Sequence, residues 1–132
     1  MRISACYIVK NEAENLKRSL SSIQGQADEV VVVDTGSTDQ TVSVAEDFET
    51  RIYSFAWQDD FASARNYALS KITGDWILLL DADEYFSADT SCNIRKVIGA
   101  YGESSCNGLL VKWIILMLRL GSCWTASISC GL

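Results

Sequence analysis

The sequence predicts an α/β fold, a Rossmann-like and mostly parallel sheet flanked by helices. Short apolar, β-branched runs alternate with stretches in which apolar residues recur at helical spacing, and that alternation marks βαβ units. The strand-like runs are apolar throughout rather than every second residue, as strands covered on both faces are. The length of 132 residues, with 48% apolar and 21% charged side chains, fits a single soluble domain. A core of that size needs no disulfide or metal to hold it.

The elements follow in order. Ile3–Val9 reads as a buried strand. Ala13, Leu16, Leu20 and Ile23 then form a helical stripe, with Lys17, Arg18 and Ser21 on the opposite side. Residues 30–33 are four valines, the strongest strand signal in the chain. Ser37 and Gln40 have capping-box spacing, and Thr41, Val44, Ala45 and Phe48 stripe the helix they would open. Arg51–Ser54 is a weaker strand. Phe61, Ala64, Ala68, Leu69 and Ile72 mark a third helix, with Gly74 as its stop signal. Trp76–Leu80 is another apolar strand, and Ile94, Val97 and Ile98 announce a helix after it. Tyr53, Phe55, Trp57 and Phe61 are expected to pack the sheet edge rather than stack a sugar. The apolar run 111–118 is expected to be a buried strand rather than a surface for a lipid acceptor.

Charge and cysteine usage exclude several functions. With 17 Asp and Glu against 11 Lys and Arg, the net charge is −6, which disfavours sequence-independent binding to nucleic acid or anionic lipid. Histidine is absent, so Ser-His-Asp and Cys-His catalysis and mixed zinc sites are excluded. The five cysteines are odd in number and form no C-x-x-C. Cys6 reads as a core residue, and Cys92, Cys106, Cys123 and Cys130 as free thiols. No signal peptide is legible, so Met1 is expected to start the domain. The stretch 109–120 carries Lys112 and Arg119 and is too short and too charged to span a membrane. The expected setting is the cytoplasm, with the inner face of the membrane left open. All acidic residues lie at or before Glu103; the last 29 residues hold three of the five cysteines and no acid.

Three strands end in polar clusters: Lys10-Asn11-Glu12, Asp34-Thr35-Gly36-Ser37-Thr38-Asp39, and Asp81-Ala82-Asp83-Glu84. In open parallel sheets ligands bind outside the carboxyl ends of the strands, so neighbouring strands would merge the clusters into one rim. Asp81 and Asp83, two apart in a locally extended segment, would face one point. Such oxygen donors suit Mg²⁺ or Mn²⁺ shared with substrate phosphates; a solvated acidic turn is the plainer alternative. Positive φ at Gly36, a cap by Ser37 and a dipole partner in Asp39 account for that loop. They leave Asp34, placed to meet a nucleobase or ribose, without a structural role. Arg65 could approach a diphosphate or lie on a solvated helix face.

Residues 8–12, 32–39, 64–69 and 74–84 together resemble family 2 glycosyltransferases of the GT-A fold. The resemblance covers about two-thirds of the chain, from Ile3 to Asp89, and rests on four ordered motifs. It implies transfer from a nucleotide-diphosphate sugar, often linked to uridine diphosphate, with inversion, to a glycan, lipid or protein acceptor. The implied donor-binding residues are Lys10, Asn11, Asp34, Thr35, Gly36, Arg65, Asp81, Ala82 and Asp83. Asp34 would lie by uracil and ribose, while Asp81 and Asp83 hold the ribose and the Mg²⁺ or Mn²⁺ on the diphosphate. Two departures stand out. Asp34 is followed by Thr35 where many members have a second acid, and no carboxylate beyond Glu103 can serve as the general base that inversion requires. The chain is accordingly expected to hold a donor-binding half, 1–108, and an atypical segment, 109–132, of truncated or frame-shifted origin. A non-catalytic nucleotide-sugar or metal-binding module remains open. So does a nucleotidyltransferase, disfavoured because no Gly-rich loop with a basic residue follows the first strand.

Overall fold

The computed structural model describes residues 1–86, 94–101, 108–111 and 115–119. Its elements are β1 (Ile3–Val9), α1 (Ala13–Ser22), β2 (Glu29–Asp34), α2 (Thr41–Asp47), β3 (Arg51–Ser54), α3 (Phe61–Ser70), β4 (Trp76–Leu80), α4 (Ile94–Tyr101), β5 (Gly108–Val111) and β6 (Ile115–Arg119). The sheet runs β3-β2-β1-β4-β6-β5. Its first four strands are parallel, β6 is antiparallel to β4, and β5 is antiparallel to β6. The predicted α/β class and helix-flanked parallel sheet are therefore present, with an antiparallel pair added at one edge.

Both faces of β1 are covered, which is why its run is apolar throughout. Ile3, Ala5, Tyr7 and Val9 pack with Leu16, Leu20 and Ile23 of the α1 region, Ala45 of α2, and Ile94 and Ile98 of α4. Cys6, Val31, Val33 and Ile77 pack on the other face, under Ala68 and Ile72 of the α3 region. The split follows from handedness. From β1 the chain steps outward to β2 and β3, then returns past β1 to place β4. Right-handed crossovers put a helix on the opposite face when the direction of travel reverses. That reversal leaves a topological switch point between β1 and β4, the place where α/β sheets open a ligand crevice. Cys6 is a core residue, as expected, and burial pushes its thiol up to about 12 against a weak opposing pull from Arg65.

Some local expectations are corrected. Ser37 and Gln40 form no capping box: α2 starts at Thr41, and Gln40 makes no side-chain cap bond. Asp39 does that work, accepting from the Thr41 N–H at 2.9 Å and from the Thr41 hydroxyl. The Ser37 hydroxyl is spent elsewhere, accepting from the Asn11 N–H at 2.9 Å. Gly74 does not stop α3, which ends at Ser70. A Cβ on Gly74 would meet Ser4 Oγ at 2.4 Å and the Arg2 O and Ser4 N at 3.0 Å, so glycine is required by close approach to β1. Of the run 111–118, residue 111 ends β5 and residues 115–118 lie in β6, while 112–114 lie outside the described residues. Asp89, Cys92, Cys106, Cys123, Cys130 and the segment 120–132 lie outside the described residues.

Candidate functional site

The end of β4 turns sharply. Glu84 N–H donates to the Asp81 carbonyl at 3.0 Å, and Asp81 N–H donates to Glu84 Oε2 at 2.9 Å. The extended geometry expected for Asp81-Ala82-Asp83 is therefore wrong; a closed turn replaces it. Ala82 points into the core and is buried, while Asp81 and Asp83 flank it on the exposed side. Among the described residues neither carboxylate makes a hydrogen bond or ion pair. Burial, joined by the negative charges of Asp81 and Asp83, raises the Glu84 carboxyl above its ordinary value. Two unneutralised carboxylates on one turn fit a divalent cation that takes its remaining oxygens from a phosphate and water. Among the described residues no group of three or more acidic, His or Cys side chains is gathered to hold a metal ion by itself.

Beside this turn, the loops after β1 and β2 are tied to each other. Asn11 Oδ1 accepts from the Thr38 N–H at 2.7 Å, Thr41 Oγ1 accepts from the Glu12 N–H at 2.9 Å, and Asp39 Oδ2 accepts from the Ala13 N–H at 3.4 Å. Asn11 holds a left-handed φ of 54° to make this reach. Asp34 is buried and does have a structural role, against the sequence reading. Its carboxylate accepts from the Gly36 N–H at 3.2 Å and the Ser37 N–H at 3.1 Å. Gly36 sits at φ 105°, a conformation that only glycine takes without strain. Thr35 is buried, and both its N–H and its hydroxyl donate to the Val9 carbonyl at 3.0 Å, pinning the loop to the end of β1.

The third wall comes from the connection between β3 and α3. Asp60 caps α3, accepting from the Ala62 and Ser63 N–H groups at 3.0 and 3.2 Å. Tyr53 and Phe55 pack on Tyr67 with ring centroids 6.5 and 5.1 Å apart, as sheet-edge residues should. Trp57 and Phe61 do not follow them. They are 41% and 47% exposed, and they form an edge-to-face pair of their own at 6.5 Å. The Arg65 guanidinium lies 4.8 Å from the Phe61 ring centre.

These walls meet over the switch point in an open cleft of about 380 Å³. Ile8, Val9, Lys10 and Glu12 line it from the β1 end, Thr35 from β2, Asp81, Ala82 and Asp83 from β4, and Trp57 and Phe61 from the aromatic side. Of the predicted site residues, Lys10, Thr35, Asp81, Ala82 and Asp83 thus share one cleft. Asn11, Asp34 and Gly36 belong to the loop clasp, and Arg65 lies against Phe61. Sequence reasoning missed Trp57 and Phe61 as cleft residues. The signal was their setting: Gln58, Asp59 and Asp60 separate the two rings, and no apolar period continues across them.

A doubly wound sheet with an acid-rimmed crevice at its switch point is the GT-A architecture, and the Glycosyl transferase family 2 profile matches residues 4–112. The chain belongs to that family. It is 49% identical over 95 residues to a TPR repeat-containing protein of Synechococcus elongatus, a match covering 72% of this chain and 24% of that protein. An uncharacterized glycosyltransferase of Rickettsia felis is 33% identical over 115 residues, covering 87% of this chain and 40% of the relative. The chain thus spans well under half the length of either. Among solved structures, S. aureus TarS 1–349 in complex with UDP superposes with a TM-score of 0.67 at 27% identity, covering 85% of this chain and 35% of that one.

Proposed function

We propose that this chain is the donor-binding half of an inverting glycosyltransferase that takes a nucleotide-diphosphate sugar, in the first instance a uridine diphosphate sugar. The observation that carries the reading is the pair of unengaged carboxylates, Asp81 and Asp83, facing Lys10 across a cleft at the β1–β4 switch point. The UDP bound by TarS, a 27%-identical structural neighbour, supports the choice of nucleotide. Asp81 and Asp83 would hold Mg²⁺ or Mn²⁺, which when bound neutralises the charge of a leaving diphosphate. Lys10 adds a fixed cation at the same rim. Asn11, Asp34, Thr35 and Gly36 keep the adjoining loops in shape, so that the pocket is formed before the donor arrives. Residues 1–108 make up this half in our reading, and 109–132 a segment of separate character. No helix among the described residues is long and apolar enough to cross a membrane. A cytoplasmic setting belongs to the same reading and suits the free buried thiol of Cys6.

The test is ligand-induced stabilisation. UDP at about 100 times its dissociation constant should stabilise the fold by roughly 2.7 kcal/mol, with Mn²⁺ or Mg²⁺ present and not with chelator. Asp83→Asn should remove most of that gain and leave the unliganded protein as stable as before. An equal gain in chelator would refute the metal role, and no gain under any condition would refute the donor site. UDP release from a UDP-sugar with acceptors present separates a transferase from a binding module, and pyrophosphate release would mark a nucleotidyltransferase.

A further inference from the structure

The turn that carries Asp81 and Asp83 is closed by a residue that does not enter the cleft. Glu84 Oε2 accepts from the Asp81 N–H at 2.9 Å, and the Glu84 N–H donates to the Asp81 carbonyl at 3.0 Å. The two bonds link residues three apart in both directions, as a capping box does at the start of a helix. β4 ends at Leu80, so the Asp81 N–H lies past the sheet ladder and takes a side chain as its partner. The far side of the turn is fixed separately. Ala82 is buried in the core, the Phe86 N–H donates to Ser22 Oγ of α1 at 3.1 Å, and the Arg18 guanidinium lies 4.2 Å from the Tyr85 ring centre. These contacts hold the middle and the exit of the turn. The peptide that enters it is held by Glu84.

From this geometry we infer that Glu84 is a positioning residue for the cation of the donor site; the inference rests on the donor-site reading above. It fixes the Asp81 backbone so that the Asp81 and Asp83 carboxylates are presented together, and it does so without touching the ion. Two observations separate it from a third ligand. Among the described residues the cleft is lined from β4 by Asp81, Ala82 and Asp83 and not by Glu84. Nor is Glu84 gathered with the two aspartates into a group able to hold a metal. Its carboxylate is turned back to the Asp81 N–H instead. The physical gain lies in order made before binding. Mg²⁺ demands near-ideal geometry from its oxygens, and two carboxylates on a loose turn would have to be ordered as the ion arrives. A turn already closed by Glu84 spares that cost.

The experiment measures Kd for Mn²⁺ with UDP present, and hydrogen exchange at the Asp81 amide in chelator, on the unaltered chain, Glu84→Gln and Glu84→Ala. Glutamine keeps an oxygen that can accept from the Asp81 N–H, and alanine does not. Glu84→Ala should weaken Mn²⁺ binding about 10-fold or more, as removal of a group that orients a metal ligand does, and should speed exchange at Asp81. Glu84→Gln should keep exchange slow and Kd within about threefold, because a charge that does not touch the ion is screened by solvent. Equal weakening by both substitutions overturns the positioning role, since the Glu84 charge would then act on the ion directly. Unchanged Mn²⁺ binding in Glu84→Ala overturns it too, as does weakened binding with the Asp81 amide still slow. Should Glu84→Ala fail to fold, Glu84→Gln decides alone: retained affinity with a protected amide sustains the role, and lost affinity with a protected amide overturns it. Failure of the unaltered chain to take up Mn²⁺ and UDP together, by contrast, overturns the donor reading itself.

Discussion

Glu29 lies at the start of β2, at the opposite end of the sheet from the cleft, and Glu29→Gln tests how the fold is held there. The side chain is 2% exposed. Ser4 Oγ donates to its Oε2 at 2.6 Å, the Thr73 N–H and hydroxyl donate to the same oxygen at 3.0 Å, and Arg51 pairs with Oε1. Burial alone would raise this carboxyl. The Ser4, Thr73 and Arg51 hydrogen bonds outweigh it and pull the pKa from 4.5 to about 2. At about 1.4 kcal/mol per unit, the ionised form contributes on the order of 3 kcal/mol of stability at neutral pH. The sign follows from the depressed folded value: the contribution is complete above the unfolded pKa near 4.5 and is lost as pH falls toward 2. Urea unfolding at pH 7, 5 and 3 should therefore show a deficit for Glu29→Gln of about 2–3 kcal/mol at pH 7, narrowing markedly at pH 3. A deficit of equal size at pH 7 and 3 would refute the ionic account and assign the effect to packing. Arg51 is the lesser partner, because half its side chain is exposed; Arg51→Gln should cost under about 1 kcal/mol.

Three other outcomes are expected. Gly74→Ala should destabilise by about 1–3 kcal/mol in thermal or urea unfolding, because two of the atoms crowding a new Cβ are backbone and cannot move away cheaply. Asn11→Gly should lose about 1 kcal/mol with the Thr38 hydrogen bond, and Asn11→Ala roughly 1 kcal/mol more from its left-handed φ; equal losses would show that backbone strain plays no part there. Removal of residues 121–132, a stretch whose sequence has neither strand nor helix periodicity, should change stability by less than about 0.5 kcal/mol on urea unfolding.

The strands and helices were legible wherever the chain is covered on both sides. The valines before Asp34, the run from Ile3 to Val9 and the stripe of Leu16 and Leu20 each have one way to bury their surface, so periodicity reads directly into structure. The convergence of three strand ends on one rim was legible as well, since it follows from parallel order. What escaped were contacts between residues distant in sequence. Gly74 has the local look of a helix stop, and only its approach to Ser4, 70 residues away, reveals its purpose. Ser37 has the spacing of a cap, yet Asn11, 26 residues earlier, claims its hydroxyl. Trp57 and Phe61 resemble edge-packing aromatics until the loop geometry leaves them in the cleft. Hydropathy does not distinguish an aromatic that fills a core from one kept outside it.

The acids around the cleft divide into two kinds, and the division bears on which of them can meet a ligand. Asp34 gives its carboxylate to Gly36 and Ser37, Asp39 to Thr41 and Ala13, Asp60 to Ala62 and Ser63, and Glu84 to the Asp81 N–H. For Asp39 the Thr41 hydroxyl, and for Asp60 the Ser63 hydroxyl, hold the carboxyl below its usual range. These acids shape loops, and a ligand approaching them must compete with bonds already made. Asp81 and Asp83 differ, as their oxygens face the cleft with no hydrogen-bonding partner among the described residues. On the proposed reading, a cation at those two positions would break no hydrogen bond already made among the described residues. Of the acids that line the cleft, Glu12 accepts from the Asn15 amide, whereas Asp81 and Asp83 keep their carboxylates without a hydrogen-bond partner among the described residues.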